Sequence, residues 1–166
     1  MKRILVVYGS QKGSTKEIAE TVKGCLENGR CRVDVMAAEP ALTDLSGYEL
    51  IVIGSGIYGA FPHNHIGEFV DRNREELEQK KTAVFAVCGN MSSKNGKKRQ
   101  TAWAFADKVA SGLSCQRKTV FAGRVPDFGR FINVIARWVA GTEPGDHRDW
   151  DTIKNWALSL LDLIAD

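Results

Sequence analysis

The sequence predicts an α/β three-layer sandwich, built on a five-stranded parallel sheet in order 2-1-3-4-5. Helices cover both faces, and one extra helix follows the fifth strand. Three observations predict it. Short β-branched apolar runs alternate with amphipathic helical patterns along the chain. No repeat or low-complexity linker interrupts that alternation. The length of 166 residues suits one domain, expected over residues 1–166. Strands separated by helical patterns make βαβ units, and right-handed crossovers place helices on both faces.

The elements follow in order. Arg3–Tyr8 (RILVVY) is a β-branched run suited to a central strand buried on both faces. Ser14–Asn28 is helical, with Ile18, Val22 and Leu26 at four-residue spacing and Gly29 as its stop. Arg32–Met36 alternates as a second strand, and Glu49–Ile53 (ELIVI) is a third. Asn64–Gln79 is a helix with Ile66, Phe69, Val70 and Leu77 inward. Thr82–Cys88 (TAVFAVC) is the fourth strand. Lys98–Gly112 is a helix expected to bury Trp103, Ala106, Val109 and Ala110, and Thr119–Ala122 is the fifth strand. The extra helix is Phe128–Ala140, with Phe128, Phe131, Ile132, Ile135 and Val139 in one stripe. Asp149–Ala165 closes the chain as a helix carrying Ile153, Trp156, Leu160, Leu161 and Ile164.

Composition excludes several classes. Hydrophobic residues are 43% and charged residues 26%, with only four prolines, so the chain is globular rather than disordered. The longest stretch without Asp, Glu, Lys or Arg, Leu50 to Gly67, contains Pro62, His63, Asn64 and His65, which argues against a membrane span. The start MKRILVVYGS turns polar too soon for a secretory signal. Cys25, Cys31, Cys88 and Cys115 form no CxxC pair and no metal-ligand spacing, so they read as free thiols in a reducing cytoplasm, with no metal site. Charge is uneven. Residues 91–140 hold ten lysines and arginines against two aspartates, a net +8, while the rest carries 13 cations and 18 anions, a net −5. That segment is either a solvated basic surface or an attractor of anions: a carboxylate substrate, an acidic membrane surface or nucleic acid. A nucleic-acid partner is not expected.

In open α/β sheets, ligands bind beyond the carboxyl ends of the strands. Three loops there carry candidate chemistry. After the first strand, Ser10, Gln11, Lys12, Gly13, Ser14 and Thr15 lead straight into a helix. Unpaired N–H groups, hydroxyls and the helix dipole make this a phosphate cradle, or else an ordinary Ser/Thr helix start with a turn glycine. It lacks the G-x-x-x-x-G-K-[ST] of a nucleotide P-loop. After the third strand, Gly54, Gly56 and Gly59 formally match G-x-G-x-x-G, but Ala60-Phe61-Pro62 follows instead of a helix, and no acidic residue ends a second strand at the required distance. A glycine-rich loop that brings backbone and the Tyr58 ring to a flat ligand fits better, the alternative being a turn with Tyr58 on the core edge. After the fourth strand comes a polar loop from Cys88 to Lys97, basic at its far end.

Together these loops, on this strand order, resemble the flavodoxin family, whose S-x-x-G-x-T pattern stands here as Ser10, Gly13 and Thr15. The resemblance covers nearly the whole chain and implies non-covalent FMN. It implies that Ser10, Gln11, Lys12, Gly13, Ser14 and Thr15 hold the 5′-phosphate. Ser55, Gly56, Ile57, Tyr58 and Gly59 on one side, and Cys88, Gly89, Asn90 and Met91 on the other, would flank the isoalloxazine. A narrower resemblance rests on Tyr48, Ile51-Val52-Ile53-Gly54, Ile57-Tyr58-Gly59, Phe121-Ala122-Gly123, the amphipathic helix and Asp149-Trp150. These are similar to the menaquinone-dependent protoporphyrinogen dehydrogenase group, which implies oxidation of a porphyrinogen in haem synthesis with a quinone as acceptor. Gly141–Arg148 is shorter than in that group, and the third loop differs in detail.

The expected activity is therefore two-electron oxidation by an FMN-dependent oxidoreductase, the alternative being a one-electron carrier between protein partners. A third alternative is an FMN-binding regulatory or scaffold protein without turnover. Basic residues after the third loop should stabilise the anionic reduced flavin and raise its two-electron potential. Phe128–Ala140 is read either as a contact for a membrane surface, a quinone or an apolar substrate, or as docked on the domain or a second subunit. If it meets lipid, the protein sits at the inner face of the membrane. His63 and His65 are either proton donors near the flavin edge or plain loop residues. Cys88 either touches the ring or is a small buried residue. No catalytic residue is assigned.

Overall fold

Alternation of side chains along three central strands decides where the two cores lie. In the strand Lys2–Gly9 (β1), Leu5 and Val7 face one side, while Ile4 and Val6 face the other. The same division recurs in Leu50–Tyr58 (β3), with Ile51 and Ile53 opposite Leu50 and Val52. It recurs again in Lys81–Val87 (β5), with Val84 and Ala86 opposite Ala83 and Phe85. Every one of these side chains is buried. Strands covered on both faces have no polar side, and each buried aliphatic residue contributes about 1.5–3 kcal/mol.

The computed structural model describes residues 1–39, 44–125, 127, 129 and 143–165. Cys31–Ala37 is β2 and Arg117–Phe121 is β6, and the central parallel order is β2-β1-β3-β5-β6. This is the 2-1-3-4-5 order expected. A two-residue strand, Phe61–Pro62 (β4), folds back antiparallel on β3. Arg124–Val125 (β7) and Gly145–Asp146 (β8) form a separate antiparallel ribbon that the sequence did not reveal.

Ser14–Leu26 (α1) buries Ile18, Ala19, Val22 and Leu26 against one face, beside the helix Trp150–Ser159 (α5). Asn64–Arg72 (α2), Arg74–Leu77 (α3) and Gly96–Ala110 (α4) cover the other. The expected helix Asn64–Gln79 is broken at Asn73. The buried Asn73 amide donates to the Phe69 carbonyl at 2.8 Å and competes with the helical ladder. Asn95 caps α4 by accepting from the Lys97 N–H at 3.0 Å, and left-handed Ser111 and Gly112 end it. Asp149 caps α5 by accepting from the Thr152 N–H at 3.0 Å, and a 3₁₀ turn, Leu160–Leu163, continues it.

Two expectations need correction. Trp103 is not buried but 50% exposed. The inner face of α4 is Ala102, Ala106, Val109 and Ala110, whose small side chains let the helix lie close on the sheet and turn Trp103 aside. The third strand does not stop at Ile53. It continues through the presumed loop to Tyr58, because Gly54 and Gly56 pair with Phe85 and Val87 of β5. The Phe85 ring lies directly against Gly54, where a Cβ would come within 2.0 Å of it. The extra helix expected over Phe128–Ala140 lies outside the described residues. No helix among the described residues is long and apolar enough to cross a membrane.

Candidate functional site

The residues after β1 form a tight turn. Gly13 adopts φ 86°, its N–H donates to Ser10 Oγ at 3.1 Å, and its carbonyl accepts from the Glu17 N–H at 3.0 Å. That last bond is the first of α1, so the N–H groups of Ser14, Thr15 and Lys16 have no acceptor within the helix. Thr15 adds a hydroxyl that is fully buried, with no hydrogen-bond partner. A buried polar atom left unpaired costs roughly 1–3 kcal/mol, and here it stands beside open amide donors at the positive end of a helix. Such a cradle suits an oxyanion, above all a phosphate monoester.

A cavity of about 220 Å³ opens over this turn. Lys12, Ser14 and Thr15 line one side, Gly56, Ile57 and Tyr58 the second, and Val87, Cys88 and Gly89 the third. Gly123, Arg124 and Val125 complete the wall. All three expected loops therefore meet at one cavity. Ser10, Gln11 and Gly13 shape the turn behind it. Ser55 is buried, donating to the Gly56 carbonyl and accepting from the His63 N–H, both at 2.9 Å. Gly59 has φ 56° at the β3–β4 turn. Asn90 and Met91 belong to the 3₁₀ turn Gly89–Ser92, with Met91 packed toward the core. Neither they nor Gly59 line the cavity.

Tyr58 does not project outward. Its ring folds back over Gly56, where a Cβ would lie 2.5 Å from the hydroxyl, and that hydroxyl accepts from the Gln11 N–H at 2.8 Å. Glycine at position 56 is thus required by the close approach of the tyrosine. His63 packs across Gly9, with its Nδ1 buried and unpartnered and the His65 ring 5.2 Å away. Burial, with help from His65, pushes the His63 pKa down and favours the neutral imidazole. Burial raises the Cys88 thiol pKa, which keeps the sulfur protonated on the cavity wall. Among the described residues, no group of three or more His, Cys, Asp and Glu side chains could hold a metal.

Sequence reasoning missed the fourth side, Gly123–Val125. Its position depends on a side-chain network. Arg148, with only 2% of its side chain exposed, donates from Nη1 to Glu17 at 2.7 Å and from Nε and Nη2 to Asp146 at 2.8 and 2.5 Å. Its guanidinium also lies over the Trp150 ring at 4.5 Å. The hydrogen bonds from Arg148 hold the Asp146 carboxyl well below its usual range, at about 2. The network ties β8 to the first turn of α1 and carries β7 to the cavity. The only trace of it in the sequence is the alternation of charge in Asp146-His147-Arg148.

Comparison with known proteins agrees with the geometry. The family model described as "Flavodoxin domain" matches residues 5–131. Oxidised Flavodoxin 2 from Bacillus cereus superposes with a TM-score of 0.65 at 20% identity, over 97% of this chain and 99% of that one. Oxidised Flavodoxin 1 from the same organism gives 0.63 at 15% identity, over 99% and 100% of the two chains. The flavodoxin, WrbA-like protein from Agrobacterium tumefaciens gives 0.57 at 13%, over 98% and 97%. At these identities the structural likeness speaks for the fold alone. The family match spans most of the sequence, and the chain belongs to the flavodoxin domain family.

Proposed function

We propose that this protein is an FMN-dependent redox protein that oxidises a porphyrinogen-like substrate by two electrons and passes them to a quinone. The observation that carries the cofactor is the buried, unpartnered Thr15 hydroxyl at the open amide end of α1, inside a cavity where three loops converge. Ser10, Gln11, Lys12, Gly13, Ser14 and Thr15 hold the phosphate. Gly56, Ile57 and Tyr58, with Cys88 and Gly89, form the two sides of the ring site, and Ser55, Gly59, Asn90 and Met91 support the loops that carry them. The redox chemistry comes from the cofactor; these residues bind it, orient it and exclude water. Lys94, Lys97, Lys98 and Arg99, in and after the third loop, favour negative charge nearby and so a raised two-electron potential. The same cations suit a substrate with carboxylates. The reading treats residues 1–166 as one domain acting in the cytoplasm, with Phe128–Ala140 meeting a membrane surface or quinone.

The family resemblance supports a one-electron carrier equally well. Purified protein should bind FMN with quenching of flavin fluorescence. The FMN-loaded protein should then turn over protoporphyrinogen anaerobically with a menaquinone analogue. Protein that stays colourless after incubation with FMN refutes the cofactor. Loaded protein that shows no such turnover, yet is reduced efficiently by a flavodoxin reductase, is a carrier instead.

A further inference from the structure

The cavity wall formed by Gly123–Val125 carries chemistry of its own. Arg124 lines the cavity together with Lys12, Ser14 and Thr15. Its neighbour Gly123 lies beside β5 and α1, where a Cβ would come 3.0 Å from Val87 and 3.8 Å from Ser14 Oγ. The Arg124 guanidinium stands 3.7 Å from both Glu17 and Asp146, outside hydrogen-bond distance of either. Those carboxylates already have a nearer cation in Arg148, whose fork is occupied by them and whose side chain is buried. Arg148 carries one charge against two, and Arg124 supplies the second from beyond hydrogen-bond distance. Arg124 is half-exposed at the rim of the anion cradle and makes no hydrogen bond to either carboxylate.

We propose that Arg124 binds the flavin phosphate and makes the site select a phosphorylated flavin over riboflavin. The assignment rests on the FMN reading above. Charge supports it. A phosphate monoester carries nearly two negative charges at neutral pH, whereas a helix end offers the equivalent of about half a positive one. Glu17 adds an anion in the first turn of α1, and Arg148 and Arg124 together offset it and Asp146. A guanidinium that reaches a phosphate pairs with two oxygens at once, which neutral amide donors cannot match.

The test is binding, not turnover. Apo protein and the variants Arg124→Gln and Arg124→Lys are titrated with FMN and with riboflavin, and flavin fluorescence is followed. Arg124→Gln should weaken FMN roughly ten- to a hundredfold and leave riboflavin within about twofold, as expected for one charge-assisted hydrogen bond. Arg124→Lys should recover part of the loss. The wild type should lose FMN affinity with added salt more steeply than Arg124→Gln. Its affinity should also rise more steeply as pH passes about 6, where the phosphate sheds its second proton. Thermal melts of the apo proteins should coincide. Equal weakening of FMN and riboflavin, or an unchanged FMN affinity, overturns the Arg124 assignment while leaving the FMN reading intact. A wild type that binds neither flavin removes both.

Discussion

At the amino end of the sheet, Arg3, Asp34 and Tyr48 satisfy one another. Arg3 donates to Asp34 at 2.7 Å and to the Tyr48 hydroxyl at 3.0 Å, and that hydroxyl donates to Asp34 at 2.9 Å. The guanidinium also lies over the Tyr48 ring at 4.4 Å. At the carboxyl end, the Thr15 hydroxyl and His63 Nδ1 are buried with no partner, and α1 begins without a side-chain cap. The Arg3 group serves the fold and is paired within the chain. The Thr15 hydroxyl, on the cavity wall, is left for something else to pair, and the stability forgone there becomes affinity for a ligand. The Arg148 network sharpens the contrast, because it stands at the carboxyl end, one step behind the cavity, and is fully paired.

If pairing marks the structural groups, their removal should cost stability. Arg148→Ala should have the largest effect, about 2–3 kcal/mol in urea denaturation, because it strips two carboxylates of their buried partner. It should also change the acid limb. The Asp146 pKa is lowered from 3.8 to about 2 by Arg148, so its contribution is complete above pH 3.8 and disappears as pH falls toward 2. Wild type should lose stability across that window, and Arg148→Ala should lose less there. A variant as stable as wild type, with the same acid profile, would break the comparison.

Tyr48→Phe should come next, costing about 1 kcal/mol through the lost hydroxyl and leaving FMN affinity unchanged. Thr15→Val should do the reverse. The apo protein should stay within about 0.5 kcal/mol of wild type or exceed it, since no hydrogen bond is lost, while FMN binding weakens about tenfold. A Thr15→Val variant that loses stability and keeps its FMN affinity would show that the hydroxyl belongs to the fold.

Much of this architecture was legible in the residues. RILVVY, ELIVI and TAVFAVC are apolar runs that only a two-sided sheet can bury, so the strand order followed. The turn Ser10–Thr15 was legible because hydroxyls, a glycine and a helix start coincide. The end of β3 was not. Gly54-Ser55-Gly56 has the composition of a loop, and only pairing with Phe85 and Val87 keeps it in the sheet. Trp103 misled because a helical period fits two adjacent faces, and the alanine face packs closer. The Gly123–Val125 wall was hidden because its neighbours, Glu17 and residues 145–148, are remote in sequence.

The ribbon of β7 and β8 has a consequence for how such a protein diversifies. Val125 pairs with Gly145, so the two ends of the chain that joins them are held side by side. Doubling the length of a segment whose ends are held in this way adds only about 0.6 kcal/mol of closure entropy. A lineage can thus lengthen, shorten or replace what joins the two strands while the scaffold stays the same, as a tool handle accepts different heads.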